Sequence, residues 1–176
     1  FNSDDAIDWD QGWRGKGQFW FVLQGTDAAG AAAEQDGAGG DEFFQPYAIP
    51  RIYNVTYVGA GVGATPASDR AQMLMFRDNT GGFYHNSIFT DFQTSEGGLA
   101  LTIEESSSKP EDSANQFANG NLGLTNNLWY GFGAGNDITQ FVDPGMSIQS
   151  DVISYLAANG NVVADPMLRG IERGTT

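Results

Sequence analysis

Short apolar stretches separated by turns rich in Gly and Asn recur along the whole chain. The first clear stretch, residues 18–24, has apolar or aromatic side chains at both odd and even positions, which predicts a strand covered on both faces. The Gly-punctuated turn before it is too short to hold a helix. A chain that reaches its buried strands through short turns is typical of a stacked, coiled sheet.

The hydrophobic pattern predicts five more strands, rich in β-branched and aromatic residues. They span residues 51–58, 72–76, 83–92 (with a break), 99–104 and 121–132, and one further short strand is predicted in the tail, residues 161–176. Loop insertions are predicted for three segments that lack a hydrophobic period, 25–50, 105–120 and 133–146, and the second is expected to contain a helical turn. One helix is predicted at about 147–158, with one apolar face formed by Ile148, Val152, Tyr155 and Leu156.

An Asn comes just before an apolar or aromatic strand three times, at Asn54, Asn86 and Asn127. In a coiled parallel sheet, equivalent turn residues of successive coils stack on one another. Asn suits such a stack because its amide forms hydrogen bonds along it and because it tolerates a left-handed backbone. Unrelated loops would give the same pattern, since Asn is frequent here. The irregular intervals fit a solenoid with loop insertions better than a strict repeat.

Charge and composition exclude several classes of function. The 176-residue chain carries 22 acidic and 8 basic side chains, and its net charge of −14 repels nucleic acid and anionic lipid headgroups. Because it has no cysteine and one His, disulfides, thiolate catalysis and Cys/His zinc sites are excluded. No apolar run is long enough for a membrane-spanning helix. We expect one domain, residues 1–176, that is a mature piece or a fragment of a longer chain.

Clustered carboxylates with Gly between them predict a calcium site of modest affinity, because calcium prefers hard oxygen ligands on a tightly turning backbone. The sequence offers two sets of candidate ligands: Asp4, Asp5 and Asp8, or Glu34, Asp36 and Asp41. A solvated surface loop is the alternative for the second set. For the first set, the alternative is a turn in which the carboxylates accept backbone hydrogen bonds.

Four stretches of the chain resemble a known group of proteins: residues 3–22, 50–59, 75–92 and 158–176. They are similar, in the same order, to uncharacterised secreted or surface lipoprotein-type proteins of Gram-negative bacteria. The resemblance implies an all-β fold, a right-handed parallel β-helix of the pectate-lyase-like kind. With the predicted strands and loop insertions, we expect about four to six coils. It also implies a location outside the cell or on its outer surface, and it implies no particular activity.

Candidate catalytic chemistry is limited to carboxylates and a few cations. Residues 3–7 resemble the paired-Asp motif of polygalacturonase-like hydrolases, which implies Asp4, Asp5 and Asp8 as an acid and base set. The Gly-His-Gly and Arg-x-Lys elements of that group are missing from the sequence. The cations that a β-helix lyase would use as its base are Lys16, Arg51 and Arg77.

Aromatic side chains supply the remaining candidate surface. Trp9 and Trp13, flanked by polar residues and Gly, are predicted to be exposed and to bind a sugar ring or a neighbouring protein. Trp20 and Trp129 are predicted to fill the core.

The predicted function follows from the missing catalytic motifs. We expect a non-catalytic structural or adhesive module, extracellular or on the outer cell surface, that belongs to a surface assembly or filament. Its expected partners are other subunits, copies of itself or surface polysaccharide, with calcium as a possible cofactor. The alternative is a polysaccharide-acting enzyme, hydrolase or lyase, that uses Asp carboxylates.

Overall fold

The chain winds into a parallel β-helix in which each coil contributes one strand to each of three sheets. The structure is a computed structural model and describes residues 5–26, 30–38, 44–64, 72–93, 98–106 and 111–171. Four coils are complete, and a helix and one short strand form part of a fifth. The all-β parallel β-helix predicted from the sequence is therefore confirmed.

The strands of the complete coils are short. Coil 1 contains β1 (Ile7–Trp9), β2 (Lys16–Gln18) and β3 (Phe21–Leu23). Coil 2 contains β4 (Ala33–Asp36), β5 (Arg51–Tyr53) and β6 (Thr56–Val58). Coil 3 contains β7 (Gln72–Arg77), β8 (Gly82–His85) and β9 (Ile88–Phe92). Coil 4 contains β10 (Leu99–Ile103), β11 (Leu122–Thr125) and β12 (Leu128–Phe132).

Helices lie within and after coil 4. They are α1 (Ser113–Ala118), α2 (Ile138–Phe141) and α3 (Gln149–Ala158), and the last is followed by β13 (Val162–Val163). The predicted helix is α3, and its Val152 and Leu156 are buried in the core. The short helices α1 and α2 lie in two of the segments predicted as loop insertions.

Every neighbouring pair of strands in the three sheets is parallel. Sheet 1 has the order β1-β4-β7-β10, sheet 2 β2-β5-β8-β11, and sheet 3 β3-β6-β9-β12-β13. Because side chains alternate along a strand, every second residue faces the lumen. The inward column of sheet 3 is apolar and buried, and it consists of Val22, Tyr57, Phe89 and Trp129.

A left-handed corner joins each sheet 2 strand to the following sheet 3 strand. It is held by Phe19, Asn54, Asn86 and Asn126 in coils 1 to 4, with φ of 61°, 53°, 54° and 56°. The Asn86 side chain donates a hydrogen bond to that of Asn54, as a stacked column requires. The predicted third member of this stack, Asn127, is wrong by one residue. Asn127 is buried and accepts a hydrogen bond from the coil 3 backbone instead.

The prediction of one continuous strand at residues 18–24 is wrong. The chain turns at Phe19, so β2 ends at Gln18 and β3 begins at Phe21. Phe19 is 74% exposed and Phe21 is 59% exposed, so the stretch is covered on one face only. The corner was hidden because an aromatic residue occupies it in place of Asn. The predicted strand 51–58 splits at the same corner into β5 and β6.

The prediction of an unbroken loop at residues 25–50 is also wrong, because this segment contains β4. Ala31, Ala32 and Ala33 are fully buried there, and β4 pairs with both β1 and β7. Alanine has a low strand propensity, so the local sequence carries no strand signal. Pairing with strands on both sides determines this element.

The two ends of the β-helix differ. We call the end formed by coil 1 the head end, and the end formed by α3 and β13 the tail end. At the tail end, Val142 bridges to Leu101 of sheet 1, and the chain then forms α3 where a strand of sheet 2 would follow. Among the three sheets of the described chain, only sheet 3 gains a strand, β13, from the fifth coil.

Candidate functional site

Coil 1 presents an apolar surface at the head end. We call it the head surface and define it as Ile7, Trp13, Phe19, Trp20 and Phe21. The two Phe side chains are largely exposed, whereas Ile7 and the two Trp side chains are half-buried and pack against the core. An apolar surface of this kind often marks a site where another molecule binds.

Two indole rings of the head surface lie over glycines. Trp13 and Trp20 stack with ring centroids 6.3 Å apart and 21° between the ring planes. A Cβ atom on Gly15 would lie 2.5 Å from the Trp13 ring, and one on Gly17 would lie 2.3 Å from the Trp20 ring. Gly17 is buried and in register with the lumen residue Ile52. Trp20 therefore fills lumen space that a side chain at Gly17 would occupy, and the two rings form a lid over coil 1.

A pocket of about 430 Å³ lies beside this lid and is lined by residues 6–10 with Trp13 and Trp20. Trp9 is its buried member, and the indole N–H of Trp9 donates to the Thr80 hydroxyl at 3.0 Å. Asp8 contributes an exposed carboxylate to the lining. Aromatic rings beside carboxylates suit a partner that offers apolar surface and hydrogen-bond donors, as proteins and sugars do.

The predicted exposure of Trp9 is wrong. Its position in β1 faces the lumen, where the ring stacks on Tyr84 at 5.9 Å and meets Phe76 edge-on at 6.3 Å. Trp13 remains half-buried at the surface, and the structure brings it into the same pocket as Trp9. Ligand binding by this pair stays a prediction. Sequence reasoning missed Phe19, although an aromatic residue at a corner that holds Asn in the next coils was a usable signal.

An acidic face covers the outside of sheet 1 and surrounds one cation. Arg77 pairs through Nη1 with Glu34 Oε1 at 2.7 Å and through Nε with Asp36 Oδ1 at 2.8 Å. Asp78 adds a third carboxylate, 3.6 Å from the same Nε. Glu104 accepts a hydrogen bond from the Asp78 backbone N–H at 2.7 Å. These carboxylates therefore take part in an ion-pair and hydrogen-bond network that links coils 2, 3 and 4.

Asp36 has a shifted ionisation within this network. Burial raises the pKa of Asp36 to about 6, although the hydrogen bond and charge of Arg77 oppose the shift. The charges of Asp78 and Glu34 raise the pKa further. A carboxyl group with a pKa near 6 is suited to act as a general acid, which is the chemistry that this face offers.

The structure places the two predicted acidic sets close to each other. Asp8 of β1 is in register with Glu34 of β4, and the Asp5 carboxylate accepts a hydrogen bond from the Ala31 backbone N–H at 2.6 Å. Two predicted members lie outside the described residues, Asp4 and Asp41. In the described ranges, no group of three or more Asp, Glu or His side chains is placed to hold a metal ion. Calcium binding stays a prediction.

His85 packs among aromatic rings on the outside of sheet 2. Its ring stacks on Tyr53 at 4.9 Å and on Phe83 at 5.9 Å, and the Arg51 guanidinium lies 4.6 Å from the centre of the Phe83 ring. Burial and the charge of Arg51 lower the pKa of His85. This is the environment of a neutral stacking residue and differs from a nucleophile relay, in which a carboxylate orients the imidazole.

Three parallel sheets wound into successive coils, with left-handed Asn corners between two of them, define the class as a parallel β-helix protein. A comparison with protein families matches residues 1–162 to the pectate-lyase-like beta helix domain, and the chain belongs to this family. No curated protein and no solved structure gave a significant match. Membership establishes the fold, whereas activity depends on the residues of the site.

Proposed function

We propose that this chain is a non-catalytic structural or adhesive module, and that its head surface attaches it to another protein. The observation that carries the proposal is Phe19, which combines an exposed ring with a left-handed backbone. Neither property stabilises the free chain. Strained backbone conformations persist where the surroundings or a function require them.

The cost at Phe19 is clear from the other coils. Asn occupies the same corner in coils 2 to 4, where φ is likewise positive. A left-handed conformation costs a residue such as Phe about 1–2 kcal/mol, whereas Asn adopts it readily. Two residues further on, β3 again has an exposed aromatic residue where coil 2 has a polar one, since Phe21 is in register with Thr56. A partner that covers both rings accounts for their presence at the head end.

The acidic face supports a non-catalytic role. Glu34 and Asp36 are both paired with Arg77, and Asp5 accepts a backbone hydrogen bond. These contacts match the structural use of carboxylates, in which the side chain holds neighbouring strands and turns together.

The experiment compares partner capture by the wild type and by a head variant, Phe19→Asn with Phe21→Thr. This variant transfers to coil 1 the residues that coil 2 has at the same positions. Phe44→Asn is the matched control, because Phe44 is 59% exposed and outside the head surface. We expect wild type and control to retain the same identified surface proteins after cross-linking, and the head variant to lose them. Equal capture by all three would contradict the proposal.

Polysaccharide is the second partner class, and the pocket with Trp9, Trp13 and Asp8 is where we would expect it to bind. Aromatic stacking on a sugar ring quenches or shifts tryptophan fluorescence. A glycan partner would be favoured over a protein partner by three results together. An oligosaccharide would quench the fluorescence saturably, Trp13→Ala would remove this quenching, and the head variant would capture the same proteins as the wild type.

An enzyme acting on polysaccharide is the alternative function, and the raised pKa of Asp36 is the observation that favours it. The matching test is turnover on a panel of acidic and neutral polysaccharides. The proposed non-catalytic role predicts no turnover. Turnover that Asp36→Asn or Asp5→Asn abolishes would reverse the ranking of the two functions.

We further propose a location outside the cell or on its outer surface, as in the Gram-negative lipoprotein-type proteins that the sequence resembles. None of the helices in the described ranges is long and apolar enough to cross a membrane.

Calcium is a further part of the proposed function. Excess EDTA should lower the melting temperature if the folded chain binds calcium. An unchanged melting curve in EDTA would remove calcium from the account.

A further inference from the structure

We propose that the partner of the head surface is the tail end of a second copy of this chain, so that copies join head to tail through sheet 3. The inference rests on the proposed function and names its partner. Four features of the structure support it: the two edges of sheet 3, its side-chain columns, its corner column and the path of the C-terminal segment.

Both edges of sheet 3 direct backbone groups along the axis. Thr56 N–H donates to the Trp20 carbonyl and Gln24 N–H donates to the Val58 carbonyl, so Trp20 and Gln24 face β6. Because backbone groups alternate along a strand, those of Phe21, between them, point to the outer edge of β3.

The same alternation applies at the tail end. Val162 N–H donates to the Asn127 carbonyl and Ala164 N–H donates to the Trp129 carbonyl, so the backbone groups of Val163 point to the outer edge of β13. In the described part of the chain, sheet 3 has no strand beyond β3 or β13. A strand edge of this kind is a template for pairing with another chain.

The side-chain columns of sheet 3 would continue across such a contact. The outward column begins at Phe21 and ends at Val162, which is 53% exposed. The inward column begins at Val22 and ends at Val163, which is 36% exposed. Placing β3 of one copy beside β13 of another brings Phe21 next to Val162 and Val22 next to Val163. Both new pairs are apolar. They would cover Phe21, Val162 and Val163, which are now partly in water, whereas Val22 is already buried.

The corner column supplies a matching shape. Asn126 N–H donates to the Asn159 carbonyl in the same way that Asn86 N–H donates to the Thr125 carbonyl one coil earlier. Gly160 is therefore the fifth corner residue, and its φ of 70° agrees with the column. The tail end thus has a corner without a side chain, and the head end has a corner with an exposed Phe19. In a stack, the Phe19 ring lies over Gly160.

In the residues that the structure describes, up to Ile171, the C-terminal segment does not cover the tail edge. After β13 it runs back along the outside of sheet 3, where it lines a pocket with residues of coils 2, 3 and 4. The residues that mark this path are Asp165, Pro166 and Leu168 on the segment, and Val58, Thr90 and Tyr130 on the coils. Up to Ile171, the last residue that the structure describes, the segment therefore lies along the side of the β-helix and away from the outer edge of β13.

The expected contact is small and directional. It uses sheet 3 alone, because α3 replaces the strand of sheet 2 at the tail end. A contact well below about 1,200 Å² is weak and transient, so we expect concentration-dependent association. A head-to-tail contact is heterologous, so it extends to chains of several copies and does not stop at a closed dimer.

The experiment is sedimentation velocity on purified chains at rising concentration, in enough salt to screen the net charge of −14. The head variant, Phe19→Asn with Phe21→Thr, lacks a head contact but keeps its tail. The tail variant, Val162→Asp, places a carboxylate opposite Phe21 and keeps its head. Val62→Asp is the matched control, because Val62 is 81% exposed, lies outside both ends and changes the charge equally.

The wild type and the Val62→Asp control are expected to form a series of oligomers. Each single-end variant on its own is expected to remain monomeric, because the intact end of one copy meets only altered ends of the others. In a mixture of the two variants, the intact tail of the head variant and the intact head of the tail variant can still join, so the mixture gives one two-chain species and nothing larger.

Two results would overturn the inference. A tail variant that associates like the wild type would show that the head binds something other than the tail. A wild type that stays monomeric up to about millimolar concentration would exclude self-association at any strength that an assembly can use. If that monomer still captured other proteins through Phe19 and Phe21, the proposed function would remain and only the identity of the partner would be wrong.

Discussion

Phe19 and Asn54 occupy the same corner in adjacent coils, and the two residues suit it differently. Both have positive φ, 61° and 53°, yet only the Asn side chain forms a hydrogen bond along the stack. The Phe19 ring is mostly in water. At this position the sequence departs from what the free chain would favour, which is typical of a residue kept for a function.

Replacing Phe19 with Asn is therefore expected to stabilise the monomer. We predict that Phe19→Asn raises the free energy of unfolding by about 1 kcal/mol, because Asn accepts the left-handed backbone at lower cost. The reciprocal variant, Asn54→Phe, should lower it by about 1–2 kcal/mol. Urea denaturation of dilute samples measures both. Destabilisation by Phe19→Asn would mean that the ring packs within its own chain and would weaken the case for a partner.

Asp36 gives a prediction about pH. Its pKa in the folded chain is about 6, above the value of 3.8 expected when unfolded, so the folded state binds this proton more tightly. This contribution to stability is fully present below about pH 4 and is lost as the pH rises through about 6. Unfolding measured from pH 4 to pH 7 should show the loss in the wild type, and Asp36→Asn should lack it. An identical pH profile for the two would contradict the assigned pKa.

Residue-level features were only partly predictable. The asparagine stack could be predicted, because Asn before a strand is a local signal that repeats along the chain. The ion pairs of Arg77 could not be predicted, because Glu34 and Asp36 reach Arg77 only once β4 and β7 are paired. The burial of Trp9 was missed for the same reason, since its neighbours Tyr84 and Phe76 come from a later coil.

At the scale of elements, the lid over coil 1 depends on two glycines that leave room for indole rings. We predict that Gly17→Ala lowers the free energy of unfolding by about 1–3 kcal/mol, because the new methyl group would lie 2.3 Å from the Trp20 ring and displace it. Tryptophan fluorescence should shift in the folded state. Gly145→Ala is the control, since a Cβ atom there would meet the Asp143 carboxylate, at the end of a flexible side chain, at 3.1 Å. Equal stability of Gly17→Ala and wild type would show that the lid is loosely packed.

The sequence predicted the elements whose side chains carry their own signal. Strands with alternating apolar residues and the helix α3 belong to this group. It missed β4, where buried Ala residues give no strand signal, and the corner at Phe19, where an aromatic residue hides a turn. Both elements are fixed by pairing with neighbouring coils, which a local pattern does not contain.

At the scale of the whole molecule, the parallel β-helix has a direction, and its two ends are different surfaces. The head end carries exposed Phe side chains, and the tail end carries exposed Val side chains beside Gly160. The fold class followed from short strands and Asn turns together, because a coiled parallel sheet repeats both. The complementarity of the two ends could not be predicted from these local patterns, because it appears only when residues about 140 positions apart are assigned to the same columns.

A disulfide trap tests the head-to-tail contact most directly, because the chain has no cysteine of its own. Phe21→Cys and Val162→Cys are made as separate proteins and mixed under oxidising conditions. Neighbouring strands lie about 4.8 Å apart, within the range of about 4.4–6.8 Å between Cα atoms that a disulfide spans. Phe21→Cys mixed with Val62→Cys gives the background from random collision.

The account predicts that the Phe21→Cys and Val162→Cys mixture forms a cross-linked pair containing one chain of each kind. The yield of this pair should exceed the yield of the background mixture. It should fall when wild-type chain, which has no cysteine, is added to compete for the ends. Cross-linking of Phe21→Cys with itself would indicate a head-to-head contact instead. A heterodimer yield no higher than the background would contradict the central claim that the head end of one copy binds the tail end of the next.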